Sequence, residues 1–300
     1  MVLHIGVFSL NTPLLIASSN RWFEANDVEV HFHHVTSSEH QFRELADGNF
    51  DVVLTAFDNV LNYAANDATA VGGSLDLVVL RPVDRGMNLA IVGAPGIGSV
   101  DDIRGRTFGV DAPDSGFAYL AYEALSSAGL EQDKDYSLVR LGGVKLRFDA
   151  ILSDGCSATL LSNGFEQLAH RSGLHVLAPA RELRQPYLGA VFSCLSTVSE
   201  AKAPEIARFL EVYERGVLAT LDREYDSMIA HQLAESRNID IDTALDLIGA
   251  ERGMFGLLVH AGVDPQAALS TAQLRAAYEG FPPGTDVDFL TRSLMATSPA

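Results

Sequence analysis

The sequence predicts an α/β protein of two lobes with a helical C-terminal extension, on three observations. Strand-like apolar runs alternate with helix-like runs through the first two-thirds of the chain, the pattern of a parallel sheet with crossover helices. The alternation pauses at the Gly/Pro-rich stretch Pro95–Ser99 and starts afresh at Val100. The chain's 300 residues, 47% of them hydrophobic, stand at the upper edge of what one core supports. The expected division is a first lobe of residues 1–95 and 186–300 and a second lobe of residues 96–185.

Leu3–Leu10 has the apolar content of a buried strand, and Thr12-Pro13 opens a helical run through Trp22, with proline where its missing N–H is harmless. Val28–Val35 reads as a second strand, followed by a helix from about His40 to Ala46 that Ser37, Ser38 and Glu39 cap and Gly48 stops. Asp51–Ala56 is a third strand, with Asp58-Asn59 capping a helix over Val60–Ala65; Leu75–Leu80 and Met87–Val92 are two more strands. In the second series Thr107–Val110 is a strand, Phe117–Ala128 a helix closed by Gly129, Tyr136–Leu141 a strand and Arg147–Leu152 a helix. Ala158–Leu161 and Leu174–Leu177 are short strands, Gly189–Leu195 returns toward the first lobe, and Ala203–Met295 is mainly helical.

Lysines and arginines number 21 against 39 acids, for a net charge of −18, so the mean field repels nucleic acid and anionic lipid. No apolar run is long enough to span a bilayer, which argues against membrane insertion. The start, Met1 to Leu10, runs straight into a strand pattern with no signal-peptide features. Taken as a complete chain it is expected in the cytoplasm; if a signal peptide was removed, in the periplasm. Cys156 and Cys194 show no zinc or redox spacing and read as buried thiols. His31 and His33 share one strand face and His34 the other, too few for a metal site, and neither metal nor cofactor is expected.

The stretch Asp51–Val60, with Thr55, Asp58 and Asn59, and the stretch Ser99–Val110 with Ser115–Ala118 resemble the SsuA/THI5-like (NMT1-like) substrate-binding proteins of the type II periplasmic-binding-protein fold. The resemblance covers roughly the first two-thirds of the chain. It implies two lobes joined by two crossings and a small ligand such as a sulfonate, nitrate, pyrimidine or aromatic acid. Enzymes of the same fold include a sulfinate desulfinase, a chorismate dehydratase, dihydroxyphthalate decarboxylases and the thiamine pyrimidine synthase. The desulfinase's N-terminal cysteine and the synthase's cysteine-rich motif are missing, since no cysteine precedes Cys156. Where the family often has an Asn-Pro-Pro turn, this chain has Ser162-Asn163-Gly164.

Candidate ligand contacts follow from open α/β sheets binding at the carboxyl ends of their strands, where helix N-termini offer free N–H groups and a positive dipole end. In the first lobe these are Ser9, Asn11 and Thr12; Ser37 and Ser38, beside His40; and Thr55, Asp58 and Asn59. In the second they are Ser115, Gly116 and Phe117, after Asp114; Gly143 with Lys145 and Arg147; and Asn163. Arg147 is the expected charge partner, its planar fork suiting a carboxylate or sulfonate. Tyr187 stands at the return crossing, and Asp84 and Arg85 near the other. Each has a plainer reading: Asn11, Thr12, Ser37 and Asp58 as helix caps, Phe117 as core, Arg147 as a solvated side chain.

The expected function is to bind a small organic acid or polar aromatic molecule between the lobes, as an ABC-importer-type solute-binding protein with a permease as its partner. The alternative is a cytoplasmic lyase or decarboxylase on the same fold, in which His40, Asp58 or Asp114 moves a proton. A silent regulatory or assembly partner, using the helical C-terminal third, is a third reading.

Overall fold

Burial follows the apolar runs. In the computed structural model, which describes residues 2–179, 182–259 and 262–295, those runs build two five-stranded sheets with helices on their faces. The first sheet holds β1 (Val2–Val7), β2 (Glu29–His34), β3 (Val52–Ala56), β4 (Leu77–Pro82) and β10 (Ala190–Leu195), in the order β2-β1-β3-β10-β4. β1 pairs in parallel with β2 and β3, whereas β10 runs antiparallel between β3 and β4. The second sheet repeats this plan with β5 (Ala90–Gly93), β6 (Arg106–Val110), β7 (Tyr136–Arg140), β8 (Ala158–Leu161) and β9 (His175–Ala178), ordered β7-β6-β8-β5-β9. β6 is parallel to β7 and β8, and β5 is antiparallel to β8 and β9.

One boundary shifts. β5 belongs to the second sheet, so that sheet begins at Ala90, ahead of the restart expected at residue 96. Its Ile91 and Val92 are fully buried in the second core, which outweighs the Gly/Pro punctuation that follows. The strand expected over Met87–Val92 starts late because Met87 and Asn88 have positive φ and form the turn of the crossing. The helix expected through Trp22 is broken at Arg21, also at positive φ, into α1 (Thr12–Ser19) and α2 (Trp22–Ala25).

Helices α1, α4 (Phe57–Ala65), α5 (Gly116–Ser127) and α7 (Phe165–Arg171) follow the carboxyl ends of β1, β3, β6 and β8. α3 (Ser38–Ala46) and α6 (Val144–Leu152) complete the βα units. Asn11, Ser37 and Ser115 cap α1, α3 and α5 through their side-chain oxygens, as their residue types predict.

The remainder is helical: α8 (Ser196–Ala201), α9 (Ala203–Leu221), α10 (Asp226–Arg237), α11 (Ile241–Glu251), α12 (Pro265–Ala277) and α13 (Val287–Met295). These helices do not all stay on the first lobe. α12 packs against both α4 and α5, and α11 packs against α7. Ala267, Ala268 and Ala272 of α12 join the core around α4, while its Leu274 joins the core of the second sheet. A face of small residues lets this helix lie close to both lobes.

Candidate functional site

Between the lobes the starts of α4 and α5 meet. The Asp58 carboxylate, in the first turn of α4, accepts the Gly116 N–H at the start of α5 (2.8 Å) and takes the Arg275 guanidinium of α12 in two-point contact at 2.9 and 3.0 Å. Their side chains are only 2% and 3% exposed. Arg275 also donates to the Asp114 carbonyl (3.2 Å), Asn62 Oδ1 (3.1 Å) and the Gly280 carbonyl (2.8 Å), with Tyr119 and Phe281 against the guanidinium. Burial alone would pull the Arg275 pKa down, but the Asp58 charge and hydrogen bonds more than reverse it. Gly116 is needed here because a Cβ would stand 2.4 Å from the Asp58 carboxyl carbon.

A second group joins the same two lobes. Thr12, first in α1, donates to Glu251 Oε1 at the end of α11 (2.6 Å). Beside it Met87, Asn88, Asn163, Gly164, Leu247, Ala250 and Glu251 line a narrow crevice with room for no more than about a water molecule. Glu251 is buried, which pushes its carboxyl up to about 7 despite nearby Arg237. Behind the Gly164 turn, Glu166 accepts the Gly164 N–H (3.0 Å), and burial pushes it up to about 8.

A third group stays within the second lobe. Arg147 is 2% exposed, so it is not the solvated arginine of the plain reading, nor does its fork point free into a cleft. Its Nε donates to the Leu160 carbonyl (3.0 Å) and its Nη1 to the Gly142 carbonyl (2.7 Å), tying α6 to the end of β8. Burial lowers its pKa, and Asp111 offsets part of that. With Phe117, Asp111 and Leu160 it lines a gap too tight to hold a water molecule.

The other expected residues are mostly engaged locally. Ser37 accepts the His40 N–H, and His40 itself is exposed beside Glu44 (3.9 Å), away from the buried ion pair. Ser38 bonds Tyr63, and Asn59 donates to Thr55 Oγ1 (3.0 Å). Asn11 donates to the Tyr213 hydroxyl (3.0 Å). Ser9, Asp114 and Asn163 are exposed, with Asp114 contributing its carbonyl rather than its carboxylate to Arg275. Ser115 donates to Asp111, and Gly143 starts α6 with open space around it. Tyr187 is buried in the second core at the crossing, which raises its hydroxyl well above the ordinary range. Asp84 joins the two crossings by accepting the Gly86 (2.7 Å) and Ala190 (3.3 Å) N–H groups, and burial raises it to about 6.

Arg275 and Glu251, the charged residues that complete the first two groups, were not among the expected contacts. They sit on helices far along the chain from Asp58 and Thr12. The one local signal is that Arg275 interrupts an alanine-rich helix face.

His31 and His33 lie on β2, with His4 Nδ1 2.9 Å from His33 Nε2; among the described residues no group of three or more His, Cys, Asp or Glu is placed to hold a metal ion. No helix among the described residues is long and apolar enough to cross a membrane.

Comparison with solved structures shows the fold. The alkanesulfonate-binding protein SsuA of Xanthomonas axonopodis pv. citri, bound to MOPS, superposes with a TM-score of 0.77 at 16% identity, over 96% of this chain and 97% of that one. The periplasmic aliphatic sulphonate-binding SsuA of Escherichia coli gives 0.76 at 18%, over 99% and 92%. The periplasmic nitrate-binding NrtA of Synechocystis PCC 6803 gives 0.77 at 13%, over 98% and 86%. Comparison with curated protein sequences gives no match. The family model for "ABC transporter, phosphonate, periplasmic substrate-binding protein" matches residues 23–224, more than half of the chain. That family is periplasmic, and neither the enzymatic alternative nor the cytoplasmic placement finds support in these comparisons. With a two-lobed fold and a family match that reaches both sheets, the chain belongs to the phosphonate-type periplasmic substrate-binding proteins and is a solute-binding protein of ABC import systems.

Proposed function

We propose that this protein captures a small organic acid between its lobes, outside the cytoplasmic membrane, and passes it to the permease of an ABC importer. Phosphonates are the first ligand class to test, from the family description, followed by sulfonates and nitrate from the names of the structural neighbours. The observation that supports an acid is the seat of the Asp58 carboxylate. A helix N–H and an arginine fork already hold one carboxylate at the point where the lobes meet. An incoming acid needs the same donors, so it replaces Asp58 on α5 as the lobes part and close again.

Titration calorimetry with propylphosphonate, propanesulfonate, nitrate and benzoate tests this reading. At least one is expected to bind in the micromolar range, and Arg275→Met is expected to weaken it at least tenfold. Absence of binding by all four, with native mass spectrometry finding no acid carried through purification, would overturn it.

A further inference from the structure

We propose that the seam where the Asn163–Gly164 turn and α7 meet α10 and α11 is a proton-dependent latch on lobe closure, worked by the buried carboxyls of Glu166 on one wall and Glu251 on the other. This rests on the reading of two lobes that part and close around a ligand, and adds a condition under which they close.

The walls belong to different lobes. α7 packs into the second core through Ala169 and Phe165. α10 and α11 share a core with Ile16 of α1, through Ile229, Leu233, Ala244 and Ile248, so they travel with the first lobe. Across the seam Leu247 lies so close to Gly164 that no Cβ fits there. Arg237 donates to the Asn163 carbonyl (3.3 Å), and at the rim Arg171 of α7 donates to Asp246 of α11 at 2.6 and 3.0 Å.

Each wall buries a carboxyl that its neighbours only half satisfy. Both residues are 4% exposed. Glu166 accepts the Gly164 N–H and Glu251 the Thr12 hydroxyl, while Glu166 Oε1 and Glu251 Oε2 are buried without a partner. The nearby Asn88 amide is engaged by the Ala250 carbonyl (2.9 Å), and Arg252 by the Thr220 and Asp222 carbonyls and by Asp226. Arg237 favours ionisation of both carboxyls and Arg252 that of Glu251; Glu251 opposes ionisation of Glu166, and Asp84 that of Glu251. His170 on α7 and His231 on α10 are exposed.

An ionised carboxylate in this seam lacks both water and a full set of donors, whereas the protonated form costs far less to bury. Burial accordingly raises Glu166 to about 8 and Glu251 to about 7. Parting the walls returns both to water and toward their ordinary value of 4.5. The closed state therefore binds more protons than the open one, so acid favours closure and alkali loosens it.

Small-angle scattering of the ligand-free full chain is expected to give a larger radius of gyration at about pH 9 than at about pH 5.5, with the circular-dichroism spectrum unchanged. Propanesulfonate keeps its charge over this range, and in calorimetry it should bind about tenfold or more tightly at the lower pH. Glu166→Gln/Glu251→Gln, neutral at every pH, should stay compact at the higher pH and lose both differences, and Glu166→Gln alone should move the scattering transition to lower pH. Equal radii in the unaltered protein at the two pH values, or the same pH dependence in the double variant, overturns the latch. The scattering change without any binding of propanesulfonate upholds the latch and counts against the acid reading alone.

Discussion

Replacing Asp58 with alanine removes three hydrogen bonds at once, from the Gly116 N–H and from two nitrogens of Arg275, at 2.8, 2.9 and 3.0 Å. The Arg275 guanidinium, 3% exposed, would then be held in the interface with its countercharge gone. Breaking a buried pair from one side costs about 3–5 kcal/mol, since the remaining charge has lost its solvation and gained nothing. Arg275 keeps its bonds to Asn62 and the Gly280 and Asp114 carbonyls, which places the expected loss near the lower end, about 3 kcal/mol. Removing both partners relieves the stranded charge, so Asp58→Ala/Arg275→Met should cost less than the sum of the single changes by about 2 kcal/mol. Denaturant unfolding of the two single variants and the double variant measures this cycle. Because the pair bridges α4, α5 and α12, small-angle scattering should also show Asp58→Ala with a larger radius of gyration. Single losses under about 1 kcal/mol, or effects that simply add, would refute the idea that this pair holds the lobes together.

Gly116→Ala sets a Cβ 2.4 Å from the Asp58 carboxyl carbon and is expected to cost about 1–3 kcal/mol in thermal unfolding, whereas Gly143→Ala, with open space around it, should stay within about 0.5 kcal/mol. Arg147→Met loses the bonds to Leu160 and Gly142 and should destabilise by about 1.5–3 kcal/mol in guanidinium; an unchanged midpoint would show that those bonds carry no weight. Burial raises Glu166 to about 8, Glu251 to about 7 and Asp84 to about 6 from ordinary values of 4.5, 4.5 and 3.8. The folded state therefore binds more protons than the unfolded state between those values. These groups favour folding in acid and lose that contribution as pH rises from about 4 to about 8, so the melting temperature should fall over that range, most steeply between about 4.5 and 6, where all three contribute. Glu166→Gln should flatten the upper part of that slope, and an identical pH profile would rule out its burial as the cause.

Much of the fold is local chemistry and was legible in the sequence. Apolar runs short enough for strands, polar turns after them, and Asn11, Ser37 and Ser115 poised to cap the next helix all act within a few residues. Their alternation is sufficient to predict two βα lobes and to direct attention to the loops at Asp58 and Gly116. Tertiary structure decided which charges those loops meet. Asp58 finds Arg275 217 residues away, and Thr12 finds Glu251 239 residues away, on helices whose own sequences signal only an amphipathic or alanine-rich face. Arg147 shows the converse: beside Gly142-Gly143 it reads as a ligand clamp, yet packing turns it onto the Leu160 and Gly142 carbonyls. β5 is assigned to the second sheet by pairing with β8 and β9, against the punctuation at Pro95–Ser99. The reason is common to all of these. Capping and periodicity depend on neighbours along the chain, whereas the partner of a buried charge depends on which faces are pressed together, and burial makes that choice count for several kcal/mol.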